Sequence, residues 1–130
     1  MVTALVDTSA LFALLDSNDL NHAEAVRQWD AAIEMDLVTH GYVVTESIAL
    51  TRARLGWDAV EALIDRILPA IRIEMVERTV HEVALAEYRA IAGGTSFVDR
   101  VTIAFGKRHG IGICFAFDAD LEAAGLAPLG

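Results

Sequence analysis

The chain has 130 residues, 55% of them hydrophobic, and nineteen Asp and Glu against ten Lys and Arg give a net charge of −9. A length near the roughly 100–200 residues of a typical domain predicts one domain spanning residues 1–130, large enough to bury about two-thirds of its unfolded surface. The apolar fraction excludes intrinsic disorder, the single Cys114 excludes a disulfide scaffold, and the acidity counts against a generic nucleic-acid binder, whose surface is usually basic.

Short β-type runs alternate with helical patterns along the chain. Val2–Val6 is an apolar run that ends at Asp7. Thr8–Asp16 and Asn21–Glu34 read as helices, the latter with Ala23, Val26, Ala31 and Ile33 among charges. Leu37–Thr39 is a short strand candidate. Val43–Leu55 is helical and Gly56 stops it. Asp58–Leu68 is a further helix ended by Pro69, which lacks the N–H that would continue the ladder. Ile71–Val76 alternates as a strand does. Val80–Ile91 and Phe97–His109 are helices separated by the Gly93-Gly94 break, with Gly110 beyond the second. Ile113–Phe117 is a strand, its Cys114 a buried thiol, and Asp118–Ala124 a short helix.

Strands alternating with helices imply an α/β layer fold with a mostly parallel sheet. In such folds ligands sit outside the carboxyl ends of the strands. Asp7 follows the first apolar run and Asp118 the last, so neighbouring parallel strands would bring both carboxylates to one sheet edge. The N-terminus lacks the basic flank of a signal peptide, and no run approaches the roughly 20 apolar residues of a membrane span. These features predict a soluble, cytoplasmic protein in a reducing compartment.

Four acids stand at element boundaries among apolar neighbours: Asp7, Glu46, Asp99 and Asp118. Each has an ordinary structural explanation. Asp7 and Asp118 suit helix N-caps, Ser96-Phe-Val-Asp99 fits a capping box, and Glu46 suits a solvated helix face. Capping does not preclude metal binding. Two carboxylates about 4 Å apart repel by about 4 kcal/mol at an effective dielectric of ~20, so a cluster of four needs protons or a cation. An oxygen-only ligand set favours hard divalent ions such as Mg²⁺ or Mn²⁺.

The charge is uneven. Residues 1–50 hold eight acids and one base; residues 51–130 hold eleven acids and nine bases. Arg52, Arg54, Arg100, Lys107 and Arg108 are therefore candidates to meet phosphates beside an acidic site, or else form helix ion pairs. His22, His40, His81 and His109 match no zinc spacing and are read as surface or helix-end residues. Ser9 lacks a nucleophile-elbow context, and Gly93-Gly94 is no phosphate loop. Trp29 and Trp57 read as core or interface anchors.

Four stretches in order resemble the PIN-domain proteins, specifically the VapC-type toxins of bacterial and archaeal toxin–antitoxin pairs. They are Val-Asp-Thr-Ser-Ala-Leu with Asp7, Thr-Glu-Ser-Ile-Ala-Leu with Glu46, Thr-Ser-Phe-Val-Asp-Arg with Asp99, and Phe-Ala-Phe-Asp-Ala-Asp-Leu with Asp118. Leu121 stands where that family commonly has Phe. The resemblance implies a PIN-like three-layer sandwich, a short mostly parallel sheet covered by helices. It also implies an Mg²⁺-dependent (or Mn²⁺-dependent) endoribonuclease with Asp7, Glu46, Asp99 and Asp118 as the catalytic acids. Asp7 and Asp99 would be direct metal ligands, Glu46 and Asp118 would complete the site directly or through water, Thr8 or Ser9 would add a hydroxyl, and Asp120 reads as a solvated face or else an auxiliary acid. Such a cation activates water for attack on a phosphodiester and offsets charge in the transition state. A cognate antitoxin and a homodimer are the implied partners beside the RNA substrate. Two other functions fit less of the sequence. A haloacid-dehalogenase-like phosphatase would want a second Asp where Ser9 stands. A non-catalytic PIN-like interaction module would not need all four acids.

Overall fold

The computed structural model describes residues 1–130. The first apolar run forms β1 (Thr3–Val6) and the helix behind it α1 (Thr8–Leu15). Then follow α2 (His22–Ala31), β2 (Asp36–His40), α3 (Gly41–Leu55) and α4 (Trp57–Ala62). The second half supplies β3 (Arg72–Glu74), α5 (Arg78–Ala90), α6 (Phe97–His109), β4 (Ile113–Phe115), α7 (Ala119–Ala123) and β5 (Ala127–Pro128). The sheet order is β3-β2-β1-β4-β5, and every pairing is parallel.

β1 lies at the centre, which is why its sequence reads as an unbroken apolar run: both faces are covered. Its side chains alternate between two cores. Ala4 and Val6 join Leu11, Val43, Leu63 and Phe115 on one face; Leu5 joins Val38, Val101, Phe105, Cys114 and Leu121 on the other. Helices on both faces of one parallel sheet make the expected three layers. Trp29 stacks on Phe115 with ring centroids 6.4 Å apart, as a core anchor should, whereas Trp57 is 56% exposed.

Two glycines set how α6 seats on the sheet. A Cβ on Gly106 would stand 3.0 Å from the Ile111 carbonyl oxygen and 3.2 Å from Leu5 Cδ1, so a side chain here would push the helix and its neighbours apart by a few tenths of an ångström. Gly110 ends the helix with φ 68°, a left-handed conformation that costs glycine little.

Three elements differ from expectation. The helix expected over Asp58–Leu68 is α only to Ala62. It widens into a π turn over Leu63–Ile67, with the Leu68 N–H reaching Leu63 O, and tightens to a 3₁₀ turn over Leu68–Ala70. Pro69 explains this, since its ring clashes with the carbonyl four residues back and its nitrogen donates nothing. The alternating segment 71–76 is an edge strand of three residues. Ile71 is buried, but Ile73 is 47% and Met75 87% exposed, because no helix covers them. β5 is unforeseen; two residues ending in a proline carry no strand signal.

Candidate metal centre

β1 and β4 are parallel neighbours, with Val6 opposite Phe115. Chain order runs outward to β2 and β3 on one side of β1 and to β4 and β5 on the other. The crevice at the ends of β1 and β4 is therefore the topological switch point, where open α/β sheets bind ligands.

Three helix starts converge there. Asp7 caps α1, its Oδ2 accepting from the Ser9 N–H at 3.1 Å. Asp118 caps α7, accepting from the Asp120 N–H at 2.8 Å. Asp99 lies in the first turn of α6, where Ser96 Oγ caps its N–H at 3.0 Å. Each acid thus has the capping-type placement its local sequence suggests, and three positive helix ends point at one spot. Asp7, Asp99 and Asp118 each present a carboxylate oxygen within 4.8 Å of the others. Asp7 and Asp99 are buried, and Asp118 is half-buried.

The electrostatics follow from crowding. Burial pushes the Asp99 carboxyl up to about 7, aided by the charges of Asp7 and Asp118. Asp7 is also raised, chiefly by burial, against the lowering effect of its Ser9 hydrogen bonds. Asp7 Oδ1 is buried with no hydrogen-bond partner. A buried acceptor left unpaired costs about 1–3 kcal/mol or more when charged, and a cation removes that cost. Three converging carboxylates, no nitrogen or sulfur ligand and one orphaned oxygen fit a hard divalent ion. Cys114 takes no part; burial holds its thiol protonated well above the ordinary range.

Ser9 ties the site together. Its Oγ donates to Asp7 Oδ2 at 2.7 Å and accepts the Phe117 N–H at 2.9 Å, clamping the end of β1 to the segment that carries Asp118. Ser9→Ala is expected to weaken Mg²⁺ binding by roughly 10–100-fold, the usual cost of losing a partner behind a ligand, with Ser9→Thr restoring it. Calorimetric titration of the three proteins checks this. Thr8 is buried and accepts from Ser47 Oγ at 3.4 Å, which joins α1 to α3. Asp120 is exposed and lies outside the cluster.

Glu46 is half-buried on α3, beside Ser47, and stands outside the three-carboxylate set. His40 fills a helix-end role, though a buried one. It does cap α3, with Nδ1 accepting the Val43 N–H at 3.4 Å, but it is 1% exposed. Its Nε2–H is then free to donate to Thr102 Oγ1 on α6 at 2.9 Å. Burial lowers its pKa to about 4, so it is neutral at pH 7. A lone histidine between Thr and Gly carries no sequence signal for this; the bond to Thr102 spans 62 residues.

Arg100 takes the ion-pair alternative, between two helices rather than within one. Its side chain is only 16% exposed and pairs with Glu87 at 3.7 Å, joining α6 to α5 rather than facing a phosphate. Arg54 lies over the Phe12 ring at 5.7 Å. Lys107 and Arg108 remain exposed near the far end of α6.

A parallel-sheet domain whose switch point gathers three aspartates from three helix starts is the architecture of an acid-centred metal nuclease fold. The family model of the PIN domain matches residues 4–126, and the chain belongs to the PIN-domain family. It is 34% identical over 122 residues, 92% of each chain, to the 23S rRNA-specific endonuclease VapC20 of Mycobacterium tuberculosis (strain CDC 1551 / Oshkosh). The crystal structure of Mycobacterium tuberculosis VapC20, described as a sarcin-ricin loop cleaving toxin, is similar with a TM-score of 0.85 at 32% identity. That match covers 95% of this chain and 96% of that one. FitAcB from Neisseria gonorrhoeae shares the fold at TM-score 0.71 and 19% identity, over 98% and 96% of the two chains.

Proposed function

We propose that this chain is a divalent-metal-dependent endoribonuclease toxin that hydrolyses RNA phosphodiester bonds. The convergence of Asp7, Asp99 and Asp118 at the sheet's switch point carries the reading. Family membership and the kinship with VapC20 support it. The ion is Mg²⁺, which Mn²⁺ can replace, since both are hard and take oxygen ligands. Asp7 and Asp99 hold it, with Asp118 alongside. When bound, the ion supplies Lewis-acid stabilisation of charge on the scissile phosphate and eases deprotonation of the attacking water.

The chain's own groups do the rest. Ser9 holds the Asp7 carboxylate through Oδ2, which leaves the buried Oδ1 without a protein partner. Asp99 parts with its proton on loading. Glu46, which stands outside the cluster, would complete the site without holding the ion directly, as the VapC resemblance implies. Glu46→Gln is accordingly expected to lower kcat by roughly 10²-fold while leaving Mg²⁺ affinity unchanged. Single-turnover cleavage and calorimetry on the same preparation separate the two.

The proposed substrate is ribosomal RNA, by likeness to VapC20, whose own target is 23S rRNA. With a net charge of −9 the protein binds RNA weakly without the cation, so selectivity arises at a local metal-bridged contact. The resemblance to VapC-type toxins supports a cognate antitoxin that sends a basic side chain into the acidic pocket, and a homodimer. No helix is long and apolar enough to cross a membrane; a cytoplasmic site of action is part of the same proposal. The deciding experiment incubates the protein with total RNA in Mg²⁺ and in EDTA and maps new ends. Sharp Mg²⁺-dependent ends in rRNA support the reading, and their absence with Mg²⁺ or Mn²⁺ sinks it.

A further inference from the structure

Beside the carboxylates, on the side of α2, lies a cavity of about 310 Å³. It stands at the lower end of the roughly 300–1,000 Å³ common for small-molecule sites. Asp118 belongs both to the acid cluster and to this cavity's wall, so its mouth adjoins the metal centre. Two side-chain amides line it, Asn21 and Gln28, two helical turns apart along α2.

Both amides have hydrogen-bonding capacity unspent within the fold. Gln28 is 7% exposed; its Nε2 donates to Glu24 at 2.8 Å, but its Oε1 is buried without a partner. Asn21 occupies the N-cap of α2, a position where Asn normally binds the helix's own N–H groups, yet its side chain makes no capping bond. Buried polar groups are nearly always paired, so the orphaned Gln28 acceptor on this wall points to a ligand, and the half-buried Asn21 amide on the same wall is free to join it.

The remaining lining says which kind. Phe117 and Leu121 supply apolar surface, while Asp118 and Glu122 supply negative charge, and no Lys, Arg or His lines the cavity. A phosphate is therefore repelled, and a neutral flat group with its own donors and acceptors is favoured. Single-stranded RNA offers such a group when a base is splayed out of its stack, to be held by aromatic contact and edge hydrogen bonds. Asn and Gln amides match the paired donor and acceptor of adenine.

We propose that this cavity is a nucleobase pocket, which takes an extruded base bearing an exocyclic amino group next to the scissile phosphate and is read by Gln28 and Asn21. The inference rests on the ribonuclease reading for its place beside the reacting phosphate, and it adds a basis for choosing the cleavage site.

The test replaces each nucleotide flanking the cleaved bond, one at a time, by an abasic residue or by uridine, which has no exocyclic amine. With the wild-type protein, one position is expected to lose roughly ten- to a hundredfold in kcat/KM. In Gln28→Leu, and separately in the more exposed Asn21→Ala, that same replacement is expected to cost little further, since the partner is already gone. Full additivity in both variants overturns the pocket while leaving the nuclease intact. A wild-type protein that cleaves no RNA overturns the nuclease reading instead. The pocket is then decided by titrating adenosine, with uridine and ribose 5-phosphate as comparison probes, while watching the side-chain NH₂ resonances of Asn21 and Gln28. Selective shifts with adenosine support it; equal or absent shifts overturn it.

Discussion

Asp7→Asn and Asp99→Asn are each expected to cut Mg²⁺-dependent RNA cleavage by on the order of 10²–10⁴-fold while raising the melting temperature of the metal-free protein. The two effects share one cause. The site is built for charge that only a cation balances, so the unloaded fold carries the strain of three crowded carboxylates. Asn keeps what is structural at position 7: it is among the best N-cap residues, and its oxygen can still accept from the Ser9 N–H and Oγ. Its new NH₂ replaces the orphaned Oδ1 with a donor facing two acids. At position 99 the substitution makes permanent the neutral state that burial already favours near pH 7, and the Ser96 cap on the backbone is untouched. At about 4 °C per kcal/mol for a chain of this size, a gain of a few degrees is readily measured. The same variants lose the Mg²⁺-dependent rise in melting temperature. Undiminished cleavage in both would remove these aspartates from the chemistry. Lost cleavage with a lowered melting temperature would show a folding defect instead.

The centre was legible to the extent that its acids are tied to local signals. Asp7, Asp99 and Asp118 each sit where a strand gives way to a helix or a helix begins. A parallel sheet forces strand ends to one edge, so three positions far apart in sequence meet there. Glu46 carries no such constraint. It lies inside a helix, where its distance from the others depends on how α3 packs, and the fold leaves it outside the tight cluster. Long-range partnerships left no trace in the sequence. Ser9 and Phe117 are 108 residues apart, and nothing at either position announces the bond. The same holds for Arg100, whose spacing to Lys107 suits a basic face until Glu87 on α5 takes its charge. Element interiors are legible because periodicity reports burial. Ends such as the π turn before Pro69 and the two-residue β5 are not, because they arise from backbone geometry and edge pairing.

Metal is expected to reverse the slope of stability against pH between about pH 5 and 7.5. Asp99 and His40 act in this window. Asp99 has a folded pKa of about 7 against an ordinary 3.8, so between those values the folded state holds a proton that the unfolded state lacks. Raising the pH then favours unfolding, and Asp7, raised for the same reason, adds to the effect. His40 works the other way. Its folded pKa is about 4 against an ordinary 6.5, so its stabilisation is fully present above 6.5 and is lost as pH falls through 4. The lowered carboxyls of Glu24, Asp36 and Glu77 matter only in more acid solution. In EDTA, His40 and Asp99 nearly cancel from pH 5 to 6.5, so the melting temperature is nearly flat. Above 6.5, with His40 already neutral in both states, it falls more steeply. Saturating Mg²⁺ keeps the aspartates ionised in the folded state as in the unfolded one, which removes their proton difference. His40 alone then sets the slope, and the melting temperature rises to pH 6.5 and levels off. The gap between the two curves widens with pH, because the cation no longer competes with a proton for Asp99; a ligand at ~100 times its Kd adds about 2.7 kcal/mol. Thermal melts across the window in EDTA and in Mg²⁺ test this directly. Curves that run parallel would mean that Mg²⁺ binds somewhere other than on these carboxylates.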